Sequence, residues 1–249
     1  MIRKFYRALS VALACAALLG TWLLYKGDFW SLKTEEQKVH AIAEYASAAP
    51  EDTYTLRAVL HPVVLHDRAF GSRRILTFTD SEIPGLLGSI QFRRGILGGW
   101  QPLKASYCAG PAIQSTRIQD TDIRVVYAAH CPPEIAHYKI QANLENDATL
   151  MAEGDVTSPD FFHVYKTDRD YFPDIHLYGK DGNELPWQDY LACDDSVPSP
   201  GIGSAETDLV YWFCGILLLV GWVIVKYCWE AGAPEKKNAE TACELHPIC

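Results

Sequence analysis

Two long apolar runs bracket the chain. Residues 8–25 are broken only by Ser10, Gly20 and Thr21, and residues 209–225 hold no residue other than apolar ones and the glycines at 215 and 221. About 20 apolar residues in a helix cross a hydrocarbon core of roughly 30 Å. The pattern therefore predicts transmembrane helices over 8–25 and 208–227. Tyr211, Trp212, Trp222, Tyr227 and Trp229 lie near the ends of the second run, where amphipathic rings favour the headgroup zone. An apolar run of that length leaves no polar face for a soluble helix. Arg3, Lys4 and Arg7 precede the first run as they would in a signal peptide. That run is longer than a usual h-region, however, and residues 20–24 offer no small-x-small cleavage site, so it reads as an uncleaved anchor.

Basic residues set the expected orientation. Arg3, Lys4 and Arg7 precede the first span, and Lys226, Lys236 and Lys237 follow the second. Lys26, Asp28, Glu206 and Asp208 lie on the inner flanks. Both termini are expected in the cytoplasm, with residues 26–207 extracytoplasmic. The chain then divides into a basic N-terminus (1–7), a span (8–25), a membrane-proximal helix (26–50), a β-rich domain (51–193), a flexible tether (194–207), a second span (208–227) and a cytoplasmic tail (228–249).

Residues 31–48 carry a helical pattern. Val39, Ile42, Ala43 and Ala46 recur at i, i+3, i+4 and i+7. Thr34 with Gln37 fits a capping box, and Glu35 and Glu36 suit the positive end of the helix dipole. The helix is expected to cover the domain's own core; a docking helix or stalk is the other reading. Beyond Tyr54 the period changes to two. Residues 74–79, 89–93, 103–107, 123–129, 136–142 and 175–178 have strand-like composition, separated by Gly, Pro, Asn and Asp. His61 and His66 flank a further β-like run. Ile83-Pro84-Gly85 and the glycines at 95, 98 and 99 predict reversals. Asp181-Gly182 predicts a hairpin, because glycine accepts positive φ without steric cost. The expected fold is a mainly β ectodomain, a sandwich or an open barrel, with an N-terminal helix and two flanking transmembrane helices. No long amphipathic helices alternate with the strands, which disfavours a doubly wound α/β domain. The Pro/Gly content of 194–207 predicts a tether.

Charge narrows the partners. Residues 26–207 hold 16 Lys and Arg against 26 Asp and Glu. Such a surface repels phosphate backbones, so nucleic acid is not an expected partner. Of the eight cysteines, only Cys108, Cys131 and Cys193 fall in that segment. One disulfide and one free thiol are the simplest oxidised outcome, with Cys108–Cys131 the preferred pair because each follows a strand-like run. Three free thiols are the alternative.

No strong catalytic motif is present: no G-x-S-x-G, H-E-x-x-H, P-loop or G-x-G-x-x-G. Seven histidines lie in the segment: His40, His61, His66, His130, His137, His163 and His176. His61 and His66, five apart along a strand, point to opposite faces and share no ligand. His130-Cys131 is the nearest approach to a nucleophile pair, but neighbours on a strand also diverge. Asp168, Asp170 and Asp174 lack the calcium-loop pattern, since Pro173 takes the glycine position. Cys243, His246 and Cys249 in the tail lack the paired spacing of structural zinc. No cofactor or metal is expected. Trp100, Trp187 and Tyr190 form a candidate interaction surface for glycans or a protein, with core packing as the simpler role.

Several short segments fall in a fixed order. They are Leu87-Gly88-Ser89-Ile90-Gln91-Phe92, Gly99-Trp100, Val126-Tyr127 through Pro133-Glu134-Ile135, Phe161-Phe162-His163-Val164, and Leu177-Tyr178-Gly179-Lys180-Asp181-Gly182-Asn183. In this order they resemble small, uncharacterised, membrane-anchored exported proteins of Gram-positive bacteria, over residues 65–185. The resemblance implies a β-rich exported domain in a bacterial cell envelope and implies no catalytic residues. Its members usually carry one span, so the second span is a departure.

The sequence thus points to a double-spanning membrane protein that binds a protein, a peptide or a wall polymer. An envelope hydrolase or thiol enzyme using His130 or Cys131 is the alternative. A further one is an accessory subunit of a membrane complex, joined through Gly215 and Gly221.

Overall fold

A computed structural model describes residues 2–47, 61–144, 147–167, 173–193 and 208–231. The expected tether (194–207), Asp168, Asp170 and the tail's Cys243, His246 and Cys249 lie outside these residues. The chain forms two compact units.

The first unit is a helix pair. α1 (Ile2–Asp28) and α4 (Leu209–Ala231) are both long and apolar enough to span a membrane. They run antiparallel: Ala17 meets Gly221, Gly20 meets Leu217, and the Cys214 thiol approaches the Thr21 carbonyl. Gly221 lets the backbones close, since a Cβ there would stand 2.7 Å from that of Ala17. Small residues make such contacts where no hydrophobic effect drives helices together. Gly221 is therefore used within the chain, whereas a Cβ added at Gly215 would meet nothing within 4 Å among the described residues. The Ser10 and Thr21 hydroxyls donate to carbonyls four residues back, at 2.9 and 2.8 Å. That satisfies each polar group locally.

The second unit is a stack of layers. Sheet A is a meander of β1 (Pro62–Phe70), β2 (Arg73–Asp80), β3 (Leu86–Arg94) and β4 (Trp100–Ala109). Sheet B pairs β5 (Ile113–Arg117) with β6 (Ile123–Ala128) and β9 (Phe161–Lys166), in the order β5-β6-β9. Sheet C pairs β7 (Ile135–Leu144), β8 (Asp147–Asp155) and β10 (Pro173–Gly179), in the order β10-β7-β8. Every pairing is antiparallel. The expected β-rich class holds, but no barrel forms: among the described residues each sheet keeps two edges.

Period-two alternation explains the stacking. Leu76, Phe78, Ile90, Phe92 and Tyr107 face α2 (Glu35–Ser47) and Leu32. Their neighbours Ile75 and Leu87 turn to the other face and meet Val125 and Tyr127 of sheet B. Val126, Ala128 and Phe161 then pack on Tyr138, Ile140 and Leu177 of sheet C. The layer order is α2, A, B, C. Strand β6 is covered on both faces, which is why its sequence reads as a nearly continuous apolar run.

α2 caps as expected: the Gln37 amide donates to Thr34 Oγ1 at 3.3 Å and the Thr34 amide to Gln37 Oε1 at 3.4 Å. Its buried stripe is shifted by one residue from the expectation. Ala41 and Ile42 are buried and Tyr45 packs beside them, while Lys38 reaches Asp67 Oδ2 at 2.9 Å. Arg74 holds the same carboxylate through two bonds, 2.7 and 2.5 Å. Burial alone would raise the Asp67 carboxyl; the Arg74 and Lys38 contacts outweigh it and hold the group below its ordinary value. A polar residue thus takes an inward position that hydrophobic periodicity assigns to an apolar one.

A second polar group crosses between sheets A and B. Gln91 is 3 % exposed. Its amide donates to Arg117 O at 2.8 Å and Thr116 Oγ1 at 3.2 Å, and its carbonyl accepts from the Gln119 amide at 2.9 Å. Beside it, Tyr127 OH donates to Gln114 Oε1 at 2.8 Å, and Gln114 Nε2 donates to Leu87 O at 2.9 Å. These bonds fix the offset between the two layers, which apolar packing alone would leave free to slide.

Candidate functional site

After β4 the chain leaves sheet A, crosses Gly110 and Pro111, and enters β5 of sheet B. Far along the sequence, β10 turns back through Asp181-Gly182. Gly182 has φ +77°, its amide donates to Gly179 O at 3.0 Å, and the Leu185 amide donates to Leu177 O at 2.8 Å. The returning segment carries Glu184 and then α3 (Trp187–Tyr190). α3 is tied to β5 by an Ala112 amide bond to Tyr190 O at 2.7 Å.

These segments enclose a cleft of about 460 Å³. By sheet order, β4, β5 and β10 are each an edge strand, and all three line it. The walls are Ile113, Ile175, Leu177 and Leu185, and Trp187 stands at 57 % exposure. Convergent polar groups come from Ser106, Gln114, Ser115, Asp174, His176 and Glu184. A cavity of this size, with apolar walls and convergent polar groups, is a usual form of a ligand site.

One pair in the cleft is preset. His176 Nδ1 lies 2.6 Å from Glu184 Oε1 across the hairpin. The carboxylate accepts, so Nδ1 carries the hydrogen. His176 Nε2 is then the ring's other polar atom, and it is buried with no hydrogen-bond partner. Buried polar atoms are nearly always paired, and this one is an exception in a residue that lines the cleft.

A disulfide closes one side. Cys108 on β4 is bonded to Cys193, with Cα atoms 5.7 Å apart. This corrects the expected Cys108–Cys131 pair, though one bond and one free thiol do form among these three. Cys131 follows β6 into sheet B, its amide donates to Pro159 O at 2.9 Å, and its side chain enters the core between sheets B and C. Nearness in sequence misleads because the chain changes sheets between the two cysteines.

Cys131 also lacks a base. The His130 side chain is 84 % exposed on a left-handed residue (φ +53°), and its amide is held by Asp160. Burial, then the nearby Glu134 carboxylate, pushes the Cys131 thiol up to about 11. Only the thiolate is nucleophilic. In the folded chain at pH 8, Cys131 should alkylate about a hundredfold or more slowly than an ordinary exposed thiol. Peptide-resolved mass spectrometry after timed iodoacetamide treatment measures this; a fast reaction at Cys131 would contradict the burial argument.

The three aromatic candidates part company. Trp187 lines the cleft, and Tyr190 lines an adjoining cavity of about 570 Å³, with its hydroxyl 3.2 Å from Glu134 Oε1. Trp100 opens β4, eight residues before Cys108, or about 26 Å along the strand. There it packs against the α2-side core, with the Arg74 guanidinium 5.3 Å from its ring centre. Sequence reasoning missed His176 and Glu184. The signal was their placement on either side of Asp181-Gly182, which makes them neighbours across a hairpin.

Of the other histidines, His66 Nδ1 lies 3.0 Å from Thr77 Oγ1, and His61 faces Glu82 at 3.2 Å. Among the described residues no group of three or more His, Cys, Asp or Glu is placed to hold a metal ion. The chain matches no protein-family model, no curated protein and no solved structure.

Proposed function

We propose that the protein is a membrane-anchored binding module of the cell envelope whose cleft takes an extended peptide. The observation that carries this reading is the meeting of three edge strands at one cleft. The returning segment already takes the edge of β10 from Leu177 onward; β4, β5 and the start of β10 keep edges that an added strand would satisfy. Trp187, more than half exposed in the cleft, offers an apolar platform. The anchors are α1 and α4, whose apolar surfaces are mostly uncovered: Leu18, Leu19, Trp212 and Leu219 are all more than half exposed. Such surfaces call for lipid. The basic residues outside the two runs favour cytoplasmic termini and an exported domain. The same placement follows from the resemblance to exported proteins of Gram-positive bacteria.

Peptide display against the full chain in nanodiscs tests the cleft. Binders should lose about tenfold in affinity on Trp187→Ala and should slow amide exchange in β10. Binders indifferent to Trp187→Ala would sink the proposal.

A hydrolase is the second reading, favoured by the His176–Glu184 pair. Glu184 would orient the ring, and Nε2, once a ring movement opened it to the cleft, would accept a proton from water or a hydroxyl. Turnover of peptide or ester substrates lost in His176→Ala and kept in Trp187→Ala would select it. The thiol-enzyme alternative has no support from Cys131, which is buried and protonated.

A further inference from the structure

The cleft beside Trp187 carries one sign of charge. Asp174 on β10 and Glu184 on the returning segment line it, and among the described residues no lysine or arginine does. Asp174 is exposed, and the Glu184 side chain is 54 % exposed. His176 takes Glu184 Oε1 at 2.6 Å, which leaves the rest of that carboxylate open to a second donor. Two cations on adjoining strands place their charge elsewhere. Lys139, opposite His176 on β7, lies 5.4 Å from the centre of the Tyr178 ring. Arg124 donates to Ser115 Oγ at 3.1 Å, but its side chain is buried and lines no part of the cleft.

Trp187 adds the second element. The face of a tryptophan ring attracts ammonium and guanidinium groups. Trp22, Trp100, Trp222 and Trp229 each hold a cation of this chain over the ring, at 5.3 to 5.8 Å from its centre. Trp187 stands more exposed than half and, among the described residues, holds none. An open indole face beside carboxylates suits a long basic side chain, whose methylenes cover the ring while its charge reaches the acid.

The adjoining cavity repeats the sign. Pro111 lines both spaces. Glu134 and Asp189 line the second, again with no lysine or arginine among the described residues. A peptide that passes from one to the other stays among carboxylates, which attract a basic segment and repel an acidic one.

We propose that the peptide taken by this cleft is basic, with a lysine or arginine side chain over Trp187 and its charge at Glu184. This rests on the cleft being a peptide site. The test selects random peptides against the full chain in nanodiscs and then measures one selected binder. Binders that depend on Trp187 should carry lysine or arginine. Neutralising that residue in the peptide, as citrulline or acetyl-lysine, should weaken binding about tenfold. Glu184→Gln should weaken the parent peptide by a similar factor and leave the neutralised peptide unchanged. Asp174→Asn, which keeps the His176–Glu184 pair, should also weaken the parent peptide. Glu36→Gln, an exposed acid on α2 outside the cleft, should change nothing. Trp187-dependent binders without a basic residue, or a neutralised peptide that binds as well as its parent, would overturn the proposal while the peptide site stands. So would full affinity in both Glu184→Gln and Asp174→Asn. An equal loss in Glu36→Gln would overturn it by assigning the attraction to the acidic surface at large. If no binder depends on Trp187, the peptide site itself falls, and this inference with it.

Discussion

Replacing Cys108 and Cys193 together by serine should lower stability by about 4 kcal/mol. The bond closes a separation of 85 residues, and the loss of loop-closure entropy from the unfolded chain scales with the logarithm of that length. The effect has a local part as well. Cys193 holds the segment that carries α3, so the variant should also loosen Trp187 against β5. Urea titration of the full chain in detergent, oxidised and reduced, measures the first part. Proteolytic nicking near α3 measures the second. If the oxidised and reduced proteins unfold at the same urea concentration, the bond is not part of the stable fold.

Gln91→Ala should cost about 3 kcal/mol. It removes the partner of the Gln119 amide and the Arg117 carbonyl in a place sealed from water, and it leaves a void as large as the missing amide. Unpaired buried groups cost roughly 1–3 kcal/mol each, with the void adding to that. For a domain of this size the thermal midpoint should fall by about 8 °C. Gln91→Leu fills the volume but still strands the backbone groups, so it should recover only part of the loss. A midpoint within about 1 °C of the parent for Gln91→Ala would show that the contact between sheets A and B does not depend on these bonds.

Much of the domain was legible because its strands obey period two with glycine at the reversals. Residues 74–79, 89–93 and 175–178 lie inside β2, β3 and β10. β5 and β8 were not legible. Ile-Gln-Ser-Thr-Arg holds one apolar residue, and its polar side chains are used between layers rather than in water. Asp-Ala-Thr-Leu-Met-Ala-Glu-Gly-Asp is rich in helix formers and is a strand because β7 pairs with it. The off-by-one face of α2 has the same origin: Lys38 is inward because Asp67 is there to meet it. The cleft could not be read at all. It is made where three sheets end, and which sheets adjoin depends on pairings between distant strands, such as β6 with β9. Only His176 and Glu184, linked by a recognisable hairpin, left a local trace.

The layer order also sets a timetable. Sheet A is built from four consecutive strands and is complete once Ala109 has emerged. Sheet B waits for β9, and sheet C for β10. In a chain made N-terminus first, the underside of sheet A, with Ile75 and Leu87, stands bare until Val125 and Tyr127 of β6 are out, and sheet B lacks its third strand until Lys166. Premature self-association is the hazard of that interval. Cys193 arrives after every strand, so its bond to Cys108 can form only when the whole stack is available, and shortly before α4 itself is delivered. The disulfide is thereby a seal that chain order allows only after every strand has been made.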